Sequence, residues 1–93
     1  RDTVVDNQPI AQGDILGLYD GSIVKVGKDV NTVAGELVRA MLTADNDLVS
    51  VYYGEEVTKE QCDSLSESLG DIDADVETFN GGQPLYYYII SVE

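Results

Sequence analysis

Residues 48–70 read LVSVYYGEEVTKEQCDSLSESLG, and the change of rhythm inside that stretch decides the fold. Leu48 to Gly54 is a short β-branched and aromatic run closed by glycine, the pattern of a largely buried strand. Thr58 and Gln61 then have the spacing of a capping box, in which each side chain satisfies the other's backbone amide. Val57 before the cap and Cys62 after it are placed as a hydrophobic staple. Cys62, Leu65 and Leu69 line one face of a helix that ends near Gly70.

Upstream the same alternation repeats. GDILGLYDGSIVKVG, residues 13–27, holds two β-rich runs, Ile15–Tyr19 and Ser22–Val26, around Asp20-Gly21. That dipeptide predicts a two-residue hairpin, because a type I′ turn needs positive φ at both central positions. From Val30 the period changes: Val30, Val33, Ala34, Leu37, Val38 and Met41 recur at helical spacing and predict a helix over roughly residues 30 to 43. Asp29 sits at its N-cap. Gly35 falls inside that helix, where close helix–sheet packing would explain it.

Downstream, DIDAD at 71–75 leads into a strand through Val76 and Phe79, Asn80-Gly81-Gly82 turns the chain, and PLYYYIISVE forms a last strand. Residues 1–13 read as an extended lead-in or a short strand. The expected fold class is α/β (α+β): a mixed sheet of about five strands in the order ββαβαββ, with two packing helices and right-handed crossovers. The whole stretch, 1–93, reads as a single domain or lobe, since a chain this short leaves little room for a second core. It opens on Arg1 rather than Met, with no signal segment ahead, and is expected to be a fragment of a larger protein.

Composition narrows the function. The net charge is −13 and uneven: residues 1–44 hold six acids and four bases, whereas residues 45–93 hold twelve acids and one base, Lys59. Such a surface repels phosphate backbones and anionic membranes, which argues against nucleic acid and direct membrane binding. It either steers a basic partner or only keeps the chain soluble. No apolar run approaches the roughly 20 residues needed to span a bilayer. One cysteine precludes an internal disulfide and fits a reducing, cytoplasmic setting.

Catalysis is the weaker class. There is no histidine, so the usual acid–base side chain near neutral pH and the usual zinc ligand are missing. Cys62 falls on the apolar helix face and reads as a buried structural thiol. Asp71, Asp73 and Asp75 resemble the opening of a calcium loop, but Val76 and Gly82 stand where an EF-hand needs glycine and a bidentate glutamate, so a solvated acidic connector is expected. Glu55 and Glu56 read as solvated acids near a helix N-terminus. The glycine-containing stretches lack the lysine and the strand-to-helix turn of a phosphate cradle, and Gly81-Gly82 reads as a turn demanding positive φ.

The tyrosines carry the interaction signal. Five of six fall in Tyr52-Tyr53 and Tyr86-Tyr87-Tyr88. Successive strand residues face opposite sides, so each cluster should turn at least one ring away from the core. That ring either meets a partner, as tyrosine does at interfaces, or is covered by a neighbouring lobe. Candidate contact residues are Tyr52, Tyr53, Gly81, Gly82, Gln83, Tyr86 and Tyr88. The aromatics would supply buried area and Gln83 orienting hydrogen bonds.

Arg1-Asp2-Thr3, GDILGLYDG (13–21), VYYGEEVT (51–58) and above all GGQPLYYYIISVE (81–93) resemble the C-terminal end of bacterial DAK2-domain proteins. These dihydroxyacetone-kinase-like proteins include the ATP-binding subunit of fatty acid kinase, and the resemblance runs across nearly all of the chain. It implies that the ATP and magnesium site lies in a separate N-terminal kinase domain, that no catalytic, cofactor or metal residue belongs to this stretch, and that the fold is similar to a lobe of the DegV-type fatty-acid-binding proteins. The implied partners are a DegV-like fatty-acid-binding protein and other domains of the same chain. A DegV-like lipid or small-molecule site and self-association as a homo-oligomer are the other readings.

Overall fold

The computed structural model describes residues 14–19 and 22–93 in full, and residues 3–5 and 8–10 as backbone. Two short strands, β1 (Thr3–Val5) and β2 (Gln8–Ile10), pair antiparallel. The lead-in expectation therefore becomes a small β-ladder. β3 (Ile15–Tyr19) and β4 (Ser22–Gly27) form the next antiparallel pair, with Tyr19 opposite Ser22. The Asp20-Gly21 turn read from the sequence lies outside the described residues. Between Gly17 and Leu18 the register shifts, so the hairpin carries a bulge.

Helix α1 runs from Val30 to Met41. Asp29 caps it as expected: its Oδ2 accepts from the Thr32 amide and the Thr32 hydroxyl, both at 2.9 Å. Those donors hold the Asp29 carboxyl below its ordinary range. Leu42 turns extended, and Thr43 closes the end by donating its amide to Asn46 Oδ1 at 2.8 Å. Strand β5 (Leu48–Tyr53) follows, then helix α2 (Lys59–Ser68). The capping box is complete: the Gln61 amide donates to Thr58 Oγ1 at 3.1 Å, and the Thr58 amide donates to Gln61 Oε1 at 2.9 Å. Val57 and Cys62 are both buried in the core beside it.

β6 (Asp75–Asn80) runs parallel to β5, and β7 (Tyr88–Val92) runs antiparallel on its other side, giving the order β6-β5-β7. All five strands of the ββαβαββ reading are present in that order. They divide into two sheets rather than one, because no described strand bridges the hairpin and β7. The connection through α1 thus joins strands of different sheets, and only β5–α2–β6 is a crossover within one sheet. The last strand also starts later than the tyrosine run suggested, with 81–87 forming a loop.

The main core lies between the three-stranded sheet and the two helices. Val49 and Val51 of β5 meet Ala34 and Val38 of α1 and Val57, Cys62, Leu65 and Leu69 around α2. Val33 and Ile23, also buried, stand outside that cluster, Ile23 on the hairpin and Val33 on the helix against it. Helix α1 therefore serves two sheets at once. Arg39 braces its far end with paired hydrogen bonds to Asp71, at 2.8 and 3.2 Å, and a third to the Ser68 carbonyl at 3.1 Å. The Arg39 guanidinium in turn holds the Asp71 carboxyl below the usual range. One acid of the DIDAD connector is thus an ion-pair partner rather than merely solvated.

Gly35 corrects a sequence expectation. A methyl group built there would lie 3.9 Å from Leu65 Cδ1, an ordinary contact, and it would face α2 rather than a sheet. Gly35→Ala should accordingly raise stability by about 0.5–1 kcal/mol through helix propensity. Urea denaturation followed by circular dichroism reads this directly. A loss of stability would mean that α1 and α2 approach too closely there for a methyl.

Candidate functional site

The outer face of the three-stranded sheet follows from strand parity. Phe79, Tyr52 and Ile89 lie opposite one another across β6, β5 and β7 and form one apolar row. The Tyr52 and Phe79 rings stack with centroids 5.0 Å apart and planes 21° from parallel. All three side chains are exposed, at 38%, 42% and 47% for Tyr52, Phe79 and Ile89. Beyond that row the face turns polar and acidic, with Glu77 and Ser91 flanking Ser50 and with Asp75 beside Leu48.

The loop from 81 to 87 extends the apolar surface past the sheet's end. It is pinned to β5 by backbone contacts: Gly81 and Gly82 donate to the Tyr53 carbonyl at 3.0 and 3.1 Å, and Gly54 donates to Tyr87 at 2.7 Å. Gly82 adopts φ +61°, so the glycine requirement read from the sequence holds there. Leu85 is the unusual residue. It takes φ 76°, in the left-handed region that costs a leucine about 1–2 kcal/mol, and it is 93% exposed. Backbone held in a sparsely populated region is a recurring feature of binding sites, and here it presents an apolar side chain outward beside the exposed Tyr86.

The seven candidate contact residues do not form one patch. Tyr52 and Tyr86 are exposed. Tyr53 and Tyr88 point to the helix side and pack against the core. The Tyr88 hydroxyl donates to Asn31 Oδ1 at 2.6 Å, while Asn31 Nδ2 donates to the Gln61 carbonyl at 2.9 Å, so one chain of bonds ties β7, α1 and α2. Burial, more than any neighbouring charge, pushes the Tyr88 phenol up to about 12. Gly81 and Gly82 shape the loop. Gln83 donates its side-chain amide to the Tyr52 carbonyl at 3.1 Å, a structural bond within the chain.

Phe79, Leu85 and Ile89 were not among the candidates. Phe79 was legible: alternation in β6 puts it on the side of Asp75 and Glu77, away from Val76. Leu85 was not, because nothing in Gln-Pro-Leu-Tyr announces a left-handed leucine.

A second feature adjoins this surface. A cleft of about 670 Å³ opens between β3, the Val30, Leu37 and Met41 side of α1, and residues 85–90. Among the described residues its walls are mostly apolar, and the one ionic residue there, Asp14, is paired with Lys28. Among the described residues no group of three or more metal-ligating side chains gathers, and no helix is long and apolar enough to cross a membrane. Cys62 is fully buried and its thiol is pushed up by burial, so it is a core residue. A thiol reagent should modify it on the order of 10²-fold or more slowly in the native chain than in urea, since access requires the core to open. Equal rates in the two conditions would place Cys62 at the surface.

The described residues thus form a small α+β unit with an exposed apolar row, an outward leucine and a cleft. The FakA-like C-terminal family, named for fatty acid kinase, matches residues 1–93, and the chain belongs to it. It is 35% identical over its whole length to protein YloV of Bacillus subtilis and to an uncharacterized protein of Staphylococcus haemolyticus. It is 33% identical to an uncharacterized protein of Staphylococcus aureus. The chain spans only 17% of the length of these curated relatives.

Proposed function

We propose that this chain is the non-catalytic docking module of a fatty-acid-kinase-type protein of the cytoplasm. In this reading a separate, dihydroxyacetone-kinase-like domain binds ATP and magnesium and transfers the phosphoryl group. The module, similar to a lobe of the DegV-like fold, engages the DegV-like fatty-acid-binding protein that presents the acyl group. Membership of the FakA-like C-terminal family supports the setting. The observation that carries the docking role is the outward Leu85–Tyr86 pair beside the Phe79–Tyr52–Ile89 row.

Apolar and aromatic anchors of this kind dominate interface energies when they become buried. Tyr86→Ala should therefore weaken partner binding roughly tenfold, about 1.4 kcal/mol, with an unchanged circular-dichroism spectrum. Calorimetry on the variant reads the first and the spectrum the second. Unchanged affinity would remove Tyr86 from the interface.

The cleft favours a second reading, a lipid or small-molecule lobe, because its volume of about 670 Å³ lies in the usual range for ligand sites. A fluorescent fatty acid would bind the isolated chain saturably in that case, and would not bind if the cleft serves a polypeptide.

A further inference from the structure

Every residue of β3 from Ile15 to Tyr19 lines the cleft, and so does every residue from Leu85 to Ile90. No residue of β4 or β5 does. Successive strand residues face opposite sides of a sheet, so a space touched by both parities of a strand is reached along its edge, not across its face. Among the described residues β3 pairs with β4 alone and β7 with β5 alone. The cleft is therefore a gap between two open strand edges, floored by the part-buried Val30, Leu37 and Met41 of α1.

The hydrogen-bonding phase of β7 can be worked out. Leu48 and Glu93 exchange both backbone bonds, at 3.0 and 2.8 Å, and Gly54 donates to Tyr87. In an antiparallel ladder such pairs alternate with non-bonded ones, which assigns Ile89 and Ser91 to β5. The N–H and C=O groups of Tyr88 and Ile90 then point the other way, into the cleft. An open edge of this kind is a template for another strand.

We propose that the cleft receives an extended strand from a partner protein, which pairs with β7 and β3 and joins the two sheets into one. The inference rests on the docking reading and names what docks. Strand rise, strand spacing and layer spacing give each residue of a packed strand roughly 160 Å³, so the gap of about 670 Å³ holds about four residues. Alternate residues of the guest would lie on α1 and must be apolar. Those between would extend the outer sheet face, whose acids Asp75 and Glu77 stand on β6, beyond β7 and β5 from the guest. The one base of the second half, Lys59, is tied to Asp63 at 2.9 Å. The chain's net charge of −13 draws a cationic partner and repels a second copy, so the outward residues of the guest are lysine or arginine.

The probe is a seven-residue capped peptide alternating lysine with valine, titrated into the 93-residue chain. Two controls carry N-methyl groups, one at every valine and one at every lysine, and each removes the donors facing one edge. A third control replaces lysine by glutamate. The expected result is saturable binding by the parent peptide, a loss of tenfold or more in both methylated forms and in the glutamate form, and slowed hydrogen exchange at the Tyr88 and Ile90 amides. Absence of binding, equal binding by the methylated peptides, or unchanged exchange at those two amides would overturn the strand slot. A dimer of the chain that the peptide dissociates would make a second copy the occupant and overturn the choice of a separate partner. If the fatty-acid-binding protein binds and the peptide does not, the slot falls while the docking reading stands. If that protein does not bind, the docking reading falls and takes the premise of the slot with it.

Discussion

Leu65→Ala should lower the unfolding free energy by about 3–4 kcal/mol, out of the 5–15 kcal/mol typical of a domain. Leu65 is 1% exposed and belongs to the cluster that joins α2 to β5 and α1. The loss has two parts, the apolar transfer of the deleted carbons and the cavity they leave. Gly35 of α1 stands against Leu65 and has no side chain to collapse into the gap. That places the cost in the middle to upper part of the range for such truncations. For a chain of this length the midpoint temperature should fall by roughly 15–25 °C. Urea and thermal unfolding followed by circular dichroism measure both, and a loss below about 1.5 kcal/mol would mean that the helices close over the gap.

Gly54→Val should cost about 2–3 kcal/mol and displace the loop from 81 to 87 at the same time. Any Cβ at position 54 would overlap the Tyr86 carbonyl oxygen and lie 2.8 Å from the Gln83 carbonyl oxygen. Both are backbone atoms and cannot step aside as a flexible side chain would. The Gly54 amide also donates to Tyr87, and the Glu55 amide donates to Gln83 at 3.1 Å, so these bonds would break together. Gly54 thus couples the end of β5 to the presentation of Leu85 and Tyr86. The variant should lose partner affinity beyond what Tyr86→Ala loses. Retained stability and retained affinity together would show that the loop is not seated on Gly54.

The two helices and the strands between them were legible because each is written in local chemistry. Thr58 and Gln61 announce one cap, Asp29 the other, and the stripe from Val30 to Met41 fixes the face of α1. What the sequence did not disclose is how the strands share helices. Val33 and Val38 sit on the same apolar stripe, yet one packs against the hairpin and the other against the main core, and no periodicity separates them. The division into two sheets, and so the cleft, follows from that partition.

The site was half legible for the same reason. Parity required that each tyrosine cluster turn a ring outward, and Tyr52 and Tyr86 do so. Parity did not say which way β7 faces, because the strand begins at Tyr88, after a loop whose course depends on Gly82 and Leu85. Tyr88 accordingly bonds Asn31 in the interior, whereas Ile89 joins the exposed row. Gln83 donates its side-chain amide to the Tyr52 carbonyl, a bond between the loop and β5. Long-range backbone contacts decided these roles, and they have no signature in neighbouring residues.

The most direct test of the docking account is calorimetric titration of the 93-residue chain with a DegV-type fatty-acid-binding protein from the same organism, loaded with fatty acid and empty. The account predicts saturable one-site binding that Tyr86→Ala weakens roughly tenfold. No heat of binding from either form, with the chain shown to be folded by circular dichroism, would contradict it.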